Sequence, residues 1–291
     1  MWYSSIKSYW FKKWWFIMIY LLLAILSSCT ISTVMRLSSK WVPNSYAMLC
    51  CNYLVCLIVS LIHQQEMVVL QPNITLGLGF LQGVLYLASF ILFQRNVAQN
   101  GMILSSLFMK LGVVVPLLLS VLMFQELPSL IQLIGIILAM MAVVTMNRDA
   151  SQTSNKFHYS LILLLIMGGL GDSMSKMFEY FGNLEESSLF LIYTFVFAFV
   201  LCFILCILKK EKVNVKIILF GIFIGIPNYY SAYFLLHALE SVPAILAYPI
   251  YSIATLLLIT IIGFVMFKER LKKQQIIGGI MIFIALYLLN C

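Results

Sequence analysis

The chain has 291 residues, of which 63% are hydrophobic and only 10% charged, and its mean hydropathy is +1.04. Soluble domains carry roughly 45–50% apolar and about 25% charged residues, so this composition excludes a soluble globular protein and requires a polytopic membrane one. The net charge of +8 sits almost wholly in short polar links, where a membrane protein keeps its topology signals, and gives no ground for a nucleic-acid partner.

A spanning helix needs about 20 residues at 1.5 Å each. On that measure the apolar segments fall at about 14–39, 45–63, 75–96, 101–124, 129–146, 158–181, 187–208, 214–238, 243–267 and 273–290. The expected fold class is therefore all-α integral membrane, with ten transmembrane helices. At the start, Lys12-Lys13, an apolar run and Leu26-Ser27-Ser28-Cys29 imitate a signal peptide with a lipoprotein-type cleavage box. Cleavage there would discard half of the first helix, so the segment reads as a spanning helix. The other cysteines (Cys50, Cys51, Cys56, Cys202, Cys206 and Cys291) lie mostly in apolar runs without histidines at zinc-ligand spacing, and read as small packing residues.

The longest polar stretch, Asn147–Phe157, divides the helices five and five. The expected units are residues 1–147, a polar linker at 148–157, and residues 158–291. A half-chain repeat falls on the same division. Phe124-Gln125-Glu126 closes helix 4, and 143 residues on Phe267-Lys268-Glu269 closes helix 9. Leu133-Ile134-Gly135 then matches Ile276-Ile277-Gly278, and Arg36 falls on Glu179, at the same offset. Gly79-x3-Gly83 in helix 3 matches Gly221-x3-Gly225 in helix 8 at an offset of 142. Five is an odd number, so the second half enters the membrane from the opposite side. The expectation is two inverted five-helix repeats, a layout in which the site lies near the midplane between the halves.

These features resemble the drug/metabolite transporter superfamily, EamA type. The resemblance rests on ten helices in this length and on a glutamate closing helices 4 and 9, followed nine residues later by glycine (Glu126 to Gly135, Glu269 to Gly278). It covers essentially the whole chain. It implies that helices 1–4 and 6–9 surround a central cavity while helices 5 and 10 are peripheral. The superfamily carries amino acids, nucleobases, sugars and drugs, so the resemblance names no cargo.

Charge at bilayer depth costs on the order of 2.5–3.5 kcal/mol and usually faces the bundle interior. Lys110 lies about 9 residues into its helix, roughly 3 Å from the midplane, and Asp172 lies about 4 Å past the middle of helix 6. Lys176 and Glu179 share the face of Asp172. An Asp172–Lys176 pair would neutralise itself and leave Lys110 as the charge without a partner in its own helix. Gly168, Gly169 and Gly171 around Asp172 allow close approach by a ligand or by a neighbouring backbone. Pro116, Pro227 and Pro249 interrupt helices and free carbonyls. Around the last two stand Asn228, Tyr229, Tyr230, Tyr233, Tyr248 and Tyr251, whose rings offer apolar walls with a hydroxyl at the rim. Glu126 and Glu269 read as structural, each favouring the positive end of the helix that follows it. Arg36, Arg95, His63, His158 and Glu240 read as facing the headgroups.

The sequence has no phosphate loop and no His/Asp cluster for a catalytic metal, so no enzyme and no cofactor is expected. The leading expectation is a secondary active transporter for a small acidic or amphipathic metabolite, driven by a proton or another gradient. The alternatives are a lipid or lipid-linked-sugar flippase, which would show a side opening to lipid, and a membrane-embedded enzyme or receptor. Small residues in helix 5 (Gly135-x3-Ala139) and helix 10 (Gly278-Gly279) offer a homodimer contact. The expected location is a bacterial-type plasma membrane. Lys and Arg number 13 on the side away from the termini and 3 on the terminal side, which puts both termini outside the cytoplasm. The resemblance implies termini inside.

Overall fold

In the computed structural model, residues 2–42, 44–64, 73–112, 114–115, 129–147, 159–239 and 244–288 are described. Side chains are described from Ile19 onward, except at 143–144, 146–147, 179, 184, 239 and 244–249. Among these residues every regular element is helical: α1 Trp2–Ser38, α2 Tyr46–His63, α3 Ile74–Asn100, α4 Met102–Leu111, α5 Leu130–Asn147, α6 Tyr159–Phe181, α7 Ser187–Leu208, α8 Val215–Leu239, α9 Ala244–Val265 and α10 Lys273–Leu288. A 3-10 turn, Leu184–Glu186, precedes α7. Glu126, Pro116, Pro243 and the 148–157 link lie outside the described residues, as do the side chains of Glu179, Tyr248 and Pro249.

Six helices are long and apolar enough to cross a bilayer, namely α2, α3, α7 and the apolar parts of α1, α6 and α8. The burial pattern names the surrounding solvent. Asn52 is 0% exposed, while Ile62 is 74% exposed. Asn96, Ser105, Thr194 and Thr255 are likewise buried. Polar groups inside and large aliphatics outside fit hydrocarbon surroundings. The protein is a multi-pass integral membrane protein.

Helix contacts close a ring in the order α1, α8, α2, α7, α3, α6, α4, α9 and back to α1. Each neighbour in the ring comes from the other half of the chain. Exchanging every helix with the one five places along leaves the order of the ring unchanged.

Glycine sets two of these contacts. A Cβ on Gly79 would lie 2.6 Å from Tyr193 Cβ, and one on Gly83 would lie 2.7 Å from the Thr194 carbonyl oxygen, so α3 and α7 meet nearly backbone to backbone. Gly221 meets Cys51, and a Cβ on Gly225 would lie 2.7 Å from the Asn52 carbonyl oxygen, in the same relation between α8 and α2. Glycines and partners alike are 142 apart: 221 − 79, 193 − 51 and 194 − 52. The glycine match read in the sequence is thus a match of contacts as well as letters.

Acidic residues of the second half hold helix starts of the first. Glu211 accepts from Ala47 N–H at 2.9 Å and from the Ser45 hydroxyl at 2.8 Å, at the start of α2. Glu186 accepts from Asn73 Nδ2 at 3.1 Å and from the Thr75 hydroxyl, at the start of α3. Glu269 accepts from Met102 N–H at 2.7 Å and Ile103 N–H at 3.0 Å. This corrects the sequence expectation for Glu269, whose carboxylate serves α4 across the ring rather than the helix after it. Two orphan donors of α4 draw it there. Gly101 makes room with φ +87, and a Cβ at that position would stand 3.0 Å from the carboxylate. Arg36 is corrected too, since its Nε lies 2.9 Å from Glu269 Oε1 rather than at the headgroups.

Helix α10 packs on α5 and also touches α4 and α9, outside the ring order. Ala139, Ala142, Gly278 and Gly279 are buried, and the two alanines pack with Ile282 and Ala285 of α10. The small residues offered for a contact between chains are therefore buried within one chain.

Candidate functional site

The site begins with a broken helix. The sequence reads as one apolar helix over 101–124, but α4 stops at Leu111 and a turn at Gly112 precedes helical residues 114–115. Pro116 has no N–H to offer the carbonyl of residue 112. Val115 N–H takes that carbonyl instead, at 2.9 Å, the i to i−3 bond of a tighter turn. At this break α4 touches α6 through glycine. A Cβ on Gly112 would lie 2.8 Å from Gly169 N and 2.8 Å from the Leu165 carbonyl oxygen, and one on Gly169 would meet the Gly112 carbonyl oxygen. Lys110 and Asp172 flank this crossing, so glycine is what brings the two charges to one place.

Lys110 Nζ lies 3.9 Å from the centroid of the Tyr251 ring on α9. Such a contact contributes about 0.5–2 kcal/mol, less than a desolvated ammonium forfeits, so the lysine keeps capacity for an anion. Tyr251 shares a 3.1 Å hydrogen bond with the Ser231 hydroxyl on α8, which fixes the ring. Asp172 lies within electrostatic reach of Lys110. The described ion pair within 4 Å is Arg36–Glu269; Asp172 is joined at that distance to neither Lys110 nor Lys176.

Tyr86 of α3 joins this group. It lies within electrostatic reach of Asp172 and Tyr251, and a Cβ on Gly171 would stand 3.7 Å from its ring, an ordinary contact. One turn away Gln82 donates to the Ser175 hydroxyl at 3.0 Å, and its buried Oε1 has no described partner. Neither Tyr86 nor Gln82 has a sequence signal beyond being a polar side chain in a spanning helix.

Asn228, Tyr229, Pro227, Tyr230 and Gly168, also expected at the site, make other contacts. Asn228 Nδ2 donates to Asn52 Oδ1 at 3.1 Å across the α8–α2 contact. Tyr229 is 2% exposed and packs on Phe195, Tyr233 and His63, with ring centroids 6.2, 5.7 and 5.3 Å away. His63 faces Tyr230 and Tyr233 as well, so its ring belongs to an aromatic layer at the end of α2 rather than to the headgroups alone. Pro227 and Tyr230 line a crevice between α1 and α8. Gly168 has only ordinary contacts with Met109. Among the described residues no group of three or more His, Cys, Asp or Glu could hold a metal ion.

A broken helix, a lysine on an aromatic face and a nearby carboxylate thus lie together where α4, α6 and α9 meet. Residues 158–291 match the EamA-like transporter family. The match covers the second half of the chain. This match supports a membrane transporter. An uncharacterized protein of Haemophilus influenzae is 25% identical over 213 residues, covering 71% of this chain and 72% of its own. A solved crystal structure shares the fold with a TM-score of 0.61 at 14% identity, over 94% of this chain and 96% of that one.

Proposed function

We propose that this EamA-type protein is a secondary active transporter working by alternating access in a bacterial-type plasma membrane. Its cargo is a small metabolite with an acidic group and an apolar or aromatic body. The observation that carries the reading is the Lys110 ammonium, 3.9 Å from the Tyr251 ring centroid and without an ion pair to Asp172. The anionic group of the cargo takes the ammonium, the Tyr251 and Tyr86 rings face its body, and Asp172 exchanges a proton as access alternates.

Alternating access needs two halves that can rock, and we infer that residues 1–147 and 158–291 are inverted repeats joined by the 148–157 link. Two facts support this: the ring order is unchanged when the halves are exchanged, and the glycine contacts recur at 142. The repeat is not chemically symmetric. At an offset of 143, Asp172 corresponds to Cys29 (172 − 143) and Gly112 to Thr255 (112 + 143). There the Cys29 thiol donates to the Thr255 carbonyl at 3.6 Å. One half thus carries the titratable group, and the other a neutral copy.

Uptake and efflux of a metabolite library by proteoliposomes, with and without a proton gradient, tests the reading. Gradient-driven movement of acidic compounds supports it. A second reading, a lipid flippase, is favoured by the crevice between α1 and α8, an apolar opening toward lipid. Movement of labelled lipids between leaflets, with no soluble compound transported, would favour that reading instead.

A further inference from the structure

We propose that the crevice between α1 and α8 is a binding site for one acyl chain of a bilayer phospholipid, held as a resident rather than as cargo. The inference rests on the protein spanning the membrane, not on what it transports.

The crevice has a volume of about 330 Å³. Its origin is legible in the residues. Pro227 stands at the centre of the 25-residue α8, where a proline ring bends a helix. Facing it from α1 are the small side chains of Ser27 and Thr30, too short to fill the space that Phe223, Ile226 and Tyr230 leave open. Both sides of the crevice lie in the middle of their spans, so it sits near the bilayer midplane, where chain ends meet.

Its chemistry selects the occupant. The Thr30 hydroxyl is already committed to the Leu26 carbonyl at 2.8 Å, so the walls are in effect hydrocarbon. A bound water needs two to four polar partners, and an apolar cavity of ~150 Å³ takes a benzene-sized guest while staying dry. This crevice has about twice that volume and no comparable set of donors. Left empty, its lining would forgo dispersion contacts on one side. It opens toward lipid, with Phe223 59% and Ile226 43% exposed. Hydrocarbon is the solvent at that depth, and a flexible acyl chain is the guest that can follow the bend at Pro227.

The test places the photo-crosslinking residue benzoylphenylalanine at Phe223, and at Leu257 on the exposed face of α9 as a control. The full-length protein in phospholipid nanodiscs is washed with lipid-free detergent, illuminated and weighed by mass spectrometry. The expected result is a phospholipid adduct at 223 several-fold more abundant after the wash than the adduct at 257. Adding Ser27→Phe fills the crevice and should abolish that excess while leaving the melting temperature in place. Equal loss at both positions, or an adduct undiminished by Ser27→Phe, overturns the site. Loss of the adduct on adding a transported compound would make the crevice part of the cargo pathway and overturn the resident role.

Discussion

Arg36 Nε stands 2.9 Å from Glu269 Oε1, joining the end of α1 to the link after α9 at a carboxylate that also caps α4. The contact is an ion pair rather than an aligned hydrogen bond, so the two backbone N–H groups of α4 are its stronger ligands. With Glu269 only 8% exposed, the cap is shielded from water. Hydrogen bonds to a charged group are worth about 1.5–3 kcal/mol each, less when the site can relax. Glu269→Ala should therefore lower stability by about 2–4 kcal/mol. Glu269→Gln, which keeps one acceptor, should cost about half of that. Thermal melting in nanodiscs checks both, and a Glu269→Ala protein that melts like the wild type contradicts the cap.

The α4–α6 crossing gives a paired expectation from adjacent glycines. A methyl on Gly169 collides with the Gly112 backbone, while one on Gly168 finds Met109 at 3.6 Å. Overpacking costs about 1–3 kcal/mol, whereas glycine to alanine inside a helix gains up to about 1 kcal/mol. Gly169→Ala should melt earlier and transport poorly because it separates Lys110 from Asp172. Gly168→Ala should match or exceed the wild type in both assays. Equal behaviour of the two variants would show that the backbone contact does not set the site.

Much of this was legible because membrane helices announce themselves by length and hydropathy, and because a repeat of Gly79-x3-Gly83 survives as contacts. Lys110 and Asp172 stand out in sequence because charge is costly at that depth. The trans caps were not legible. Glu269 reads as serving the helix that follows it, since nothing local says which distant helix start lacks an acceptor. The break after Leu111 was half-legible: Pro116 predicts disturbance, but placing it at Gly112 requires knowing that Gly169 lies opposite. Asn228 and Tyr230 misled because proline and tyrosine in one helix suggest a cavity, whereas helix rotation sends one to Asn52 and the other to the lipid side.

Asp172 is the proposed proton carrier. Asp172→Asn should leave transport insensitive to an imposed proton gradient, with facilitated exchange of cargo retained, while Asp172→Glu should keep a pH response. Flux measured against an imposed gradient checks this. A gradient-driven Asp172→Asn protein would move the coupling elsewhere.

Orientation follows from charge. With 13 Lys and Arg on the side away from the termini against 3 on the terminal side, both termini should lie outside the cytoplasm. A fluorescent reporter that folds only in the cytoplasm, fused after Cys291, should stay dark. Bright fluorescence reverses the assignment.

The central claim is that the Lys110 ammonium, held over Tyr251, receives the anionic group of the cargo. Its most direct test is transport by Lys110→Met, a change close in length that removes the charge and keeps the packing. The protein should insert and melt like the wild type and bind and move cargo at background level, with Tyr251→Leu weakened and Tyr251→Phe nearly intact. Normal transport by a folded Lys110→Met protein would make the lysine structural and contradict the account.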